Sequence, residues 1–199
     1  MKLNPSLLQH PQIPKALHST NPRLIMGKER WDETRAKIFY EQNFKCKACG
    51  VHKNDARYHK RLECHESYLI NYETGEVKLI ELVGLCISCH KFIHNGLLEV
   101  QYKLGKISQE MYEDIMKHGM KVLKDAGLEP NVMTQIQWYY HTSSLSDEDI
   151  FMLLSENQKK QLAELLIKVP WEKWHLVFEG KKYYSKFKNI EEWNKFYSR

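Results

Sequence analysis

The sequence predicts an α+β fold, mostly helical, built around a small ββα unit that encloses metal. Three observations carry that reading. Two C-x-x-C pairs, Cys46/Cys49 and Cys86/Cys89, stand on either side of one short segment. Inside that segment two alternating apolar stretches meet at N71-Y-E-T-G75, the composition of a hairpin turn. Beyond Lys106 the chain is dominated by stretches of helical period that begin at serine caps.

Taken in order, residues 1–29 form an N-terminal arm. Pro5, Pro11, Pro14, Pro22 and Gly27 forbid a long regular element there, so the arm is expected to run extended and wrap the domain. Residues 30–106 form the metal-bearing domain. A helix is expected from Arg30 to Asn43, with Trp31, Ile38 and Phe39 on its buried face. It delivers the chain into C46-K-A-C49-G50, where the glycine relieves the turn around the thiolates. Residues 51–60 read as a charged loop, Leu62–Ile70 as a strand, and Glu76–Leu82 as its returning partner. A helix starts at Cys86 and is expected to stop near Asn95-Gly96.

Residues 107–170 read as a helical region. Ser108 caps a helix that ends at Gly127, and Ser146 and Ser155 cap two more; S155-E-N-Q158 has the form of a capping box. The stretch from Val132 to His141 fits either helix or strand. Residues 171–199 form a C-terminal appendage, a β-hairpin from His175 to Phe187 followed by a short helix from Asn189 to Tyr197. There is no internal repeat.

Composition bounds the function. Hydrophobic residues make up 42% and charged residues 28% of the chain, the balance of an ordinary globular protein with a real core. No apolar run is long enough for a signal peptide or a membrane span, so the expected location is the cytoplasm and no membrane partner is expected. The net charge of +5 is uneven: residues 1–44, 45–106 and 159–199 are basic around an acidic middle. Basic segments beside a metal site suit a polyanionic substrate.

In a reducing compartment, five cysteines with four in paired spacing mean metal ligation more than disulfides. Cys46, Cys49, Cys86 and Cys89 can close a tetrahedral site of the kind zinc prefers for structure. A thioredoxin-like redox pair would need only one C-x-x-C, at a helix start after a strand. C86-I-S-C89-H90 also matches a haem-attachment pattern, but that chemistry needs export and would strand Cys46 and Cys49.

His90 and His94 lie four apart on the expected helix and so share a face. His65, from the neighbouring strand, could complete a three-imidazole site with positions left open for water and phosphate. Three imidazoles favour Mn²⁺, Ni²⁺ or Zn²⁺ over Mg²⁺, which prefers oxygen ligands.

The order C-x-x-C, then L62-E63-C64-H65-E66, then L85-C86-I-S-C89-H90-K-F-I-H94 resembles the HNH endonucleases with an embedded four-cysteine zinc site, part of the His-Me finger group. The resemblance covers Trp31 to Gly96. It implies a ββα-metal fold that holds one divalent cation, and hydrolysis of a nucleic-acid phosphodiester, more readily DNA than RNA, leaving a 5′-phosphate. It puts His65, His90 and His94 on the metal positions and Glu66 where a histidine base normally stands. Glu81 falls where the motif normally has asparagine. A carboxylate with an ordinary pKa near roughly 4.3 is a weak base at neutrality, and burial would strengthen it. Glu66 or Glu81 could also approach the cation as extra ligands. A second alignment places Cys64 on the metal position and makes His65 the base.

Arg57, Lys60, Arg61, Lys78 and Lys91 lie in or near this unit and are candidate phosphate contacts. His52, His59 and His118 have no evident partner. Trp171, Trp174, Tyr183, Tyr184 and Trp193 are interleaved with lysines and suit either a nucleic-acid-binding surface or a small core. The expectation is a metal-dependent endonuclease. The alternatives are an HNH-type module that binds nucleic acid or protein without cutting, and a nuclease activated only within a larger complex; a protein partner or a homodimer stays open.

Overall fold

The prolines of the arm break it into short pieces that bury a few apolar side chains. The computed structural model of the chain describes residues 1–198. Within it, Pro5–Gln9 and Lys15–Leu17 are single 3₁₀ turns that bury Leu7, Leu8, Ala16 and Leu17. Helix α1 (Pro22–Met26) follows; the Asn21 Oδ1 accepts from the Leu24 N–H at 3.0 Å and caps it. The arm is therefore part of the core as well as a wrap around it.

Helix α2 (Lys28–Glu41) buries Trp31 and ends where Asn43 and Phe44 take positive φ, turning the chain toward Cys46. Its last contact shapes the sheet. The buried Gln42 amide donates to the Gly84 carbonyl at 3.0 Å and accepts from the Gly84 N–H at 2.7 Å, as a neighbouring strand would. The Lys47 N–H adds a bond to the same carbonyl at 2.9 Å. These bonds carry the second strand past the expected end at Leu82, on to Cys86.

Strands β1 (Leu62–Asn71) and β2 (Glu76–Cys86) pair antiparallel, with His65 opposite Val83 and an irregularity between Ser67 and Tyr68. Helix α3 (Ile87–Ile93) leads straight off β2. The chain does not stop at Asn95-Gly96: it breaks for one residue, His94, and re-enters helix as α4 (Asn95–Lys103). Buried Asn95 explains the re-entry. Its amide donates to Thr134 Oγ1 at 2.7 Å and accepts from Gln12 Nε2 at 2.8 Å, tying the break to two other segments.

Helix α5 (Gln109–Asp125), capped by Ser108, packs across α3. Gly119 permits that approach, since a Cβ there would lie 2.2 Å from the Phe92 ring. The ambiguous stretch is helix α6 (Val132–Thr142), started by Asn131, whose side chain accepts from the Thr134 N–H at 3.0 Å. Helices α7 (Asp147–Leu153) and α8 (Glu156–Leu165) both begin with capping boxes.

Strands β3 (His175–Phe178) and β4 (Lys181–Tyr184) form the expected C-terminal hairpin, and helix α9 (Ile190–Tyr197) follows. The hairpin is continuous with the central sheet. β3 pairs in parallel with β2, His175 opposite Glu76, giving one four-stranded mixed sheet in the order β1-β2-β3-β4. The fold is thus α+β and about half helical, with nine α-helices among the described residues.

One apolar cluster joins Leu7 and Leu8 to β1, β2, α3 and α5 around the cysteines. A second joins Ala16 and Leu17 to Val77, Trp174, Leu176 and Phe178. Among the described residues no helix is long and apolar enough to cross a membrane.

Candidate metal centre

Four cysteines reach one point from two turns. In the first, the Cys46 N–H bonds the Val51 carbonyl and the Gly50 N–H bonds the Cys46 carbonyl, a reversal that needs Gly50 at φ +81°. In the second, Cys86 is the N-cap of α3 and Cys89 lies in its first turn. The four Sγ atoms lie within 4.8 Å of one another and none is in a disulfide.

Cys49 and Cys86 are 3.8 Å apart. A tetrahedral cation with metal–sulfur bonds of about 2.3 Å would space its ligands by about 3.8 Å, so the sulfurs are at ligand spacing. Their protonation also fits a cation. Hydrogen bonding to Cys46 and Cys49 pushes the Cys86 and Cys89 thiols up, while bonding from Cys46 draws Cys49 well down. Four neighbouring sulfurs cannot all ionise unless positive charge is shared among them.

His118, on α5, supplies a contact that local spacing does not reveal: its Nε2 is 3.4 Å from the Cys89 Sγ. A ring N–H aimed at a thiolate orients the ligand and takes up part of its charge.

The three expected imidazoles converge beside this cluster. Ring centroids are 5.5 Å apart for His65–His90, 5.2 Å for His65–His94 and 4.7 Å for His90–His94, and one ligand atom from each lies within 4.8 Å of the others. His65 is buried, and neither ring nitrogen has a hydrogen-bond partner. A buried ring with no partner is costly, and a cation that takes a nitrogen lone pair removes part of that cost.

Burial, then the neighbouring imidazoles, holds the pKa of His65 well below its ordinary value. Burial and His94 lower that of His90 to about 3, and burial lowers that of His94. All three rings are therefore neutral at pH 7, the form that binds metal. The residues present fit a divalent ion.

Because β1 is an edge strand, side chains from its two faces border one cavity. His65 and Glu66 point to opposite faces of the strand, yet both line a cavity of about 260 Å³, together with His94. Burial raises the Glu66 pKa, and the charge of Arg23 on α1 pulls partly the other way. On the same strand, burial and then the Glu66 charge push the Cys64 thiol up to about 12. The imidazole cluster contains His65 and not Cys64.

The arm contributes what local pattern could not show. His10 stacks on His65 at 5.9 Å between centroids, and its Nε2 is 3.2 Å from Ser67 Oγ. His18 accepts from Trp193 Nε1 at 3.2 Å and, like His10, lines the same cavity. No spacing signal could have found either, since each meets its partners across a long stretch of chain.

The other candidates are dispersed. Glu81 pairs with Ser67 across the hairpin but is not in the imidazole set. Arg57 is exposed and paired with Asp114, Arg61 is exposed and paired with Glu63, and Lys91 bonds Gln101. Lys78 is exposed on β2, and Lys60 and Arg61 border a shallow groove with Arg35 and Lys53.

Of the aromatic residues, Trp174 is buried, with Trp171 and Tyr183 packed around its cluster. Tyr184 is exposed, and Trp193 meets His18. Compared with protein-family models, with curated proteins and with solved structures, the chain gave no match.

Proposed function

We propose that the protein is a metal-dependent HNH-type endonuclease that hydrolyses phosphodiester bonds in nucleic acid, DNA in the first instance. The observation that carries this reading is the convergence of His65 on β1 with His90 and His94 in and just after α3, beside the four-cysteine cluster, with neither ring nitrogen of His65 paired.

Cys46, Cys49, Cys86 and Cys89 would hold zinc as a structural ion. His65, His90 and His94 would hold one divalent cation, Mn²⁺, Ni²⁺, Zn²⁺ or Mg²⁺, which when bound supplies Lewis-acid stabilisation of charge on the phosphate and the leaving oxygen. Glu66 accepts a proton from the attacking water, and its raised pKa brings it nearer the range a general base needs. The new P–O bond forms as the P–O3′ bond breaks, leaving a 5′-phosphate. His65 is held between the α3 rings and His10, so its position is set before substrate arrives.

The test is cleavage of supercoiled plasmid with Mn²⁺, Ni²⁺ or Mg²⁺ by the wild type, His90→Ala and Glu66→Gln. Metal-dependent cutting that both variants lose by a factor of about 100 or more is expected. Cutting retained by Glu66→Gln would move the base elsewhere. No cutting by folded, zinc-loaded wild type would overturn the nuclease reading.

A further inference from the structure

The cavity beside the imidazole set has walls that a phosphate site does not need. Besides His65, Glu66 and His94 it is bordered by four ring systems, His10, His18, Tyr68 and Tyr197, and by two amides, Gln12 and Asn21. The rings come from three separate parts of the chain and are fixed. Trp193 holds His18 through its Nε1–H and lies tilted against Tyr197 at 5.0 Å between centroids, and Tyr197 meets His18 edge-on at 6.1 Å.

The amides are fixed as well. The Gln12 amino group donates to Asn95 Oδ1, and Asn21 Oδ1 accepts from the Leu24 N–H. Gln12 Oε1 and Asn21 Nδ2 take no part in those bonds, so the margin offers an acceptor and a donor to an occupant. At about 260 Å³ the space lies just under the roughly 300–1,000 Å³ of pockets for drug-sized ligands, so it has room for one heterocycle.

We infer that this cavity receives one unpaired nucleobase next to the scissile phosphate, and that the substrate is nucleic acid carrying an extruded or single-stranded nucleotide at the cut. The inference rests on the nuclease reading above. Flat rings with a donor and an acceptor at the margin suit a base, which offers a π-face and a hydrogen-bonding edge. A base still paired in a duplex cannot enter, because its edge is occupied and its faces are stacked. Placing a base here puts the adjoining phosphate beside His65 and His94, which border the same space.

The test uses fluorescence polarisation with three labelled DNA duplexes: one uninterrupted, one with a single bulged base, and one with an abasic residue at the bulge. Binding to the zinc-loaded protein is measured before Mn²⁺ is added. The bulged base should bind about tenfold more tightly than the abasic bulge, as stacking of one base on aromatic side chains predicts. Tyr197→Ala should remove the difference, while Tyr197→Phe, which keeps the ring, should retain it. Tyr197 is 45% exposed, so neither change threatens the fold.

Equal affinity of wild type for the two bulges would overturn the inference. A preference that survives in Tyr197→Ala would put the base elsewhere and overturn it too. Either result alongside metal-dependent plasmid cutting would leave the nuclease reading standing. Binding to none of the duplexes would overturn the inference, while plasmid cutting decides the nuclease reading separately.

Discussion

Acid should destabilise this protein through its buried imidazoles, and the share of one of them, His90, can be isolated. His90 is neutral in the folded state because burial, His94 and Lys91 lower its pKa to about 3 from an ordinary 6.5. Below pH 6.5 the unfolded chain takes up a proton that the folded chain refuses until about pH 3. The stability this ring supports is complete above pH 6.5 and is lost progressively as pH falls through that window.

At about pH 5.5, one unit below the unfolded value, the loss from His90 alone is about 1.4 kcal/mol. That is a substantial part of a typical total of roughly 5–15 kcal/mol. The assay is urea unfolding at about pH 7.5 and about pH 5.5, comparing wild type with His90→Ala and adding no second metal. Protonation of the four cysteines, with release of any ion they hold, is common to both proteins and cancels in the comparison. The pH-dependent loss should be smaller in His90→Ala by about 1.4 kcal/mol. Identical losses in the two proteins would refute the reasoning and show that His90 titrates normally.

Two further outcomes follow from packing and ligation. Gly119→Ala should destabilise by about 1–3 kcal/mol in thermal or urea unfolding, because its Cβ would meet the Phe92 ring and force α5 off α3. His118→Ala should leave the four cysteines in place but weaken zinc retention by about 10–100-fold in a chelator competition, as loss of an outer-shell partner does.

What the sequence revealed and what it hid divide by distance along the chain. The C-x-x-C turns and the His90/His94 spacing are local chemistry, and the structure brings those residues together. Serine caps at Ser108, Ser146 and Ser155 are local too, and each starts a helix. The ambiguous stretch from Val132 was decided by a cap one residue earlier, at Asn131.

Four features had no local signature. Gln42 behaves as a piece of strand because its side-chain amide copies a backbone one, which no pattern of apolar residues encodes. β3 joins β2 in parallel across an intervening helical region. His10 and His18 reach the site from an arm whose prolines signal only the absence of a long element. His118 reaches the thiolates from a helix that begins many residues after the last ligand.

The parallel pairing of β2 with β3 also bears on when the molecule becomes competent. Glu76 and His175 are about a hundred residues apart, and contacts of such long range form slowly because the intervening chain must first be ordered. The cavity wall carrying Tyr197 lies beyond that pairing, whereas every cysteine and histidine of the two candidate metal sets has been made by His94. On a ribosome, then, the ion-binding half is synthesised long before the half that shapes its cavity. A chain of this design emerges with its candidate ligands first and the ring that closes the cavity beside them last.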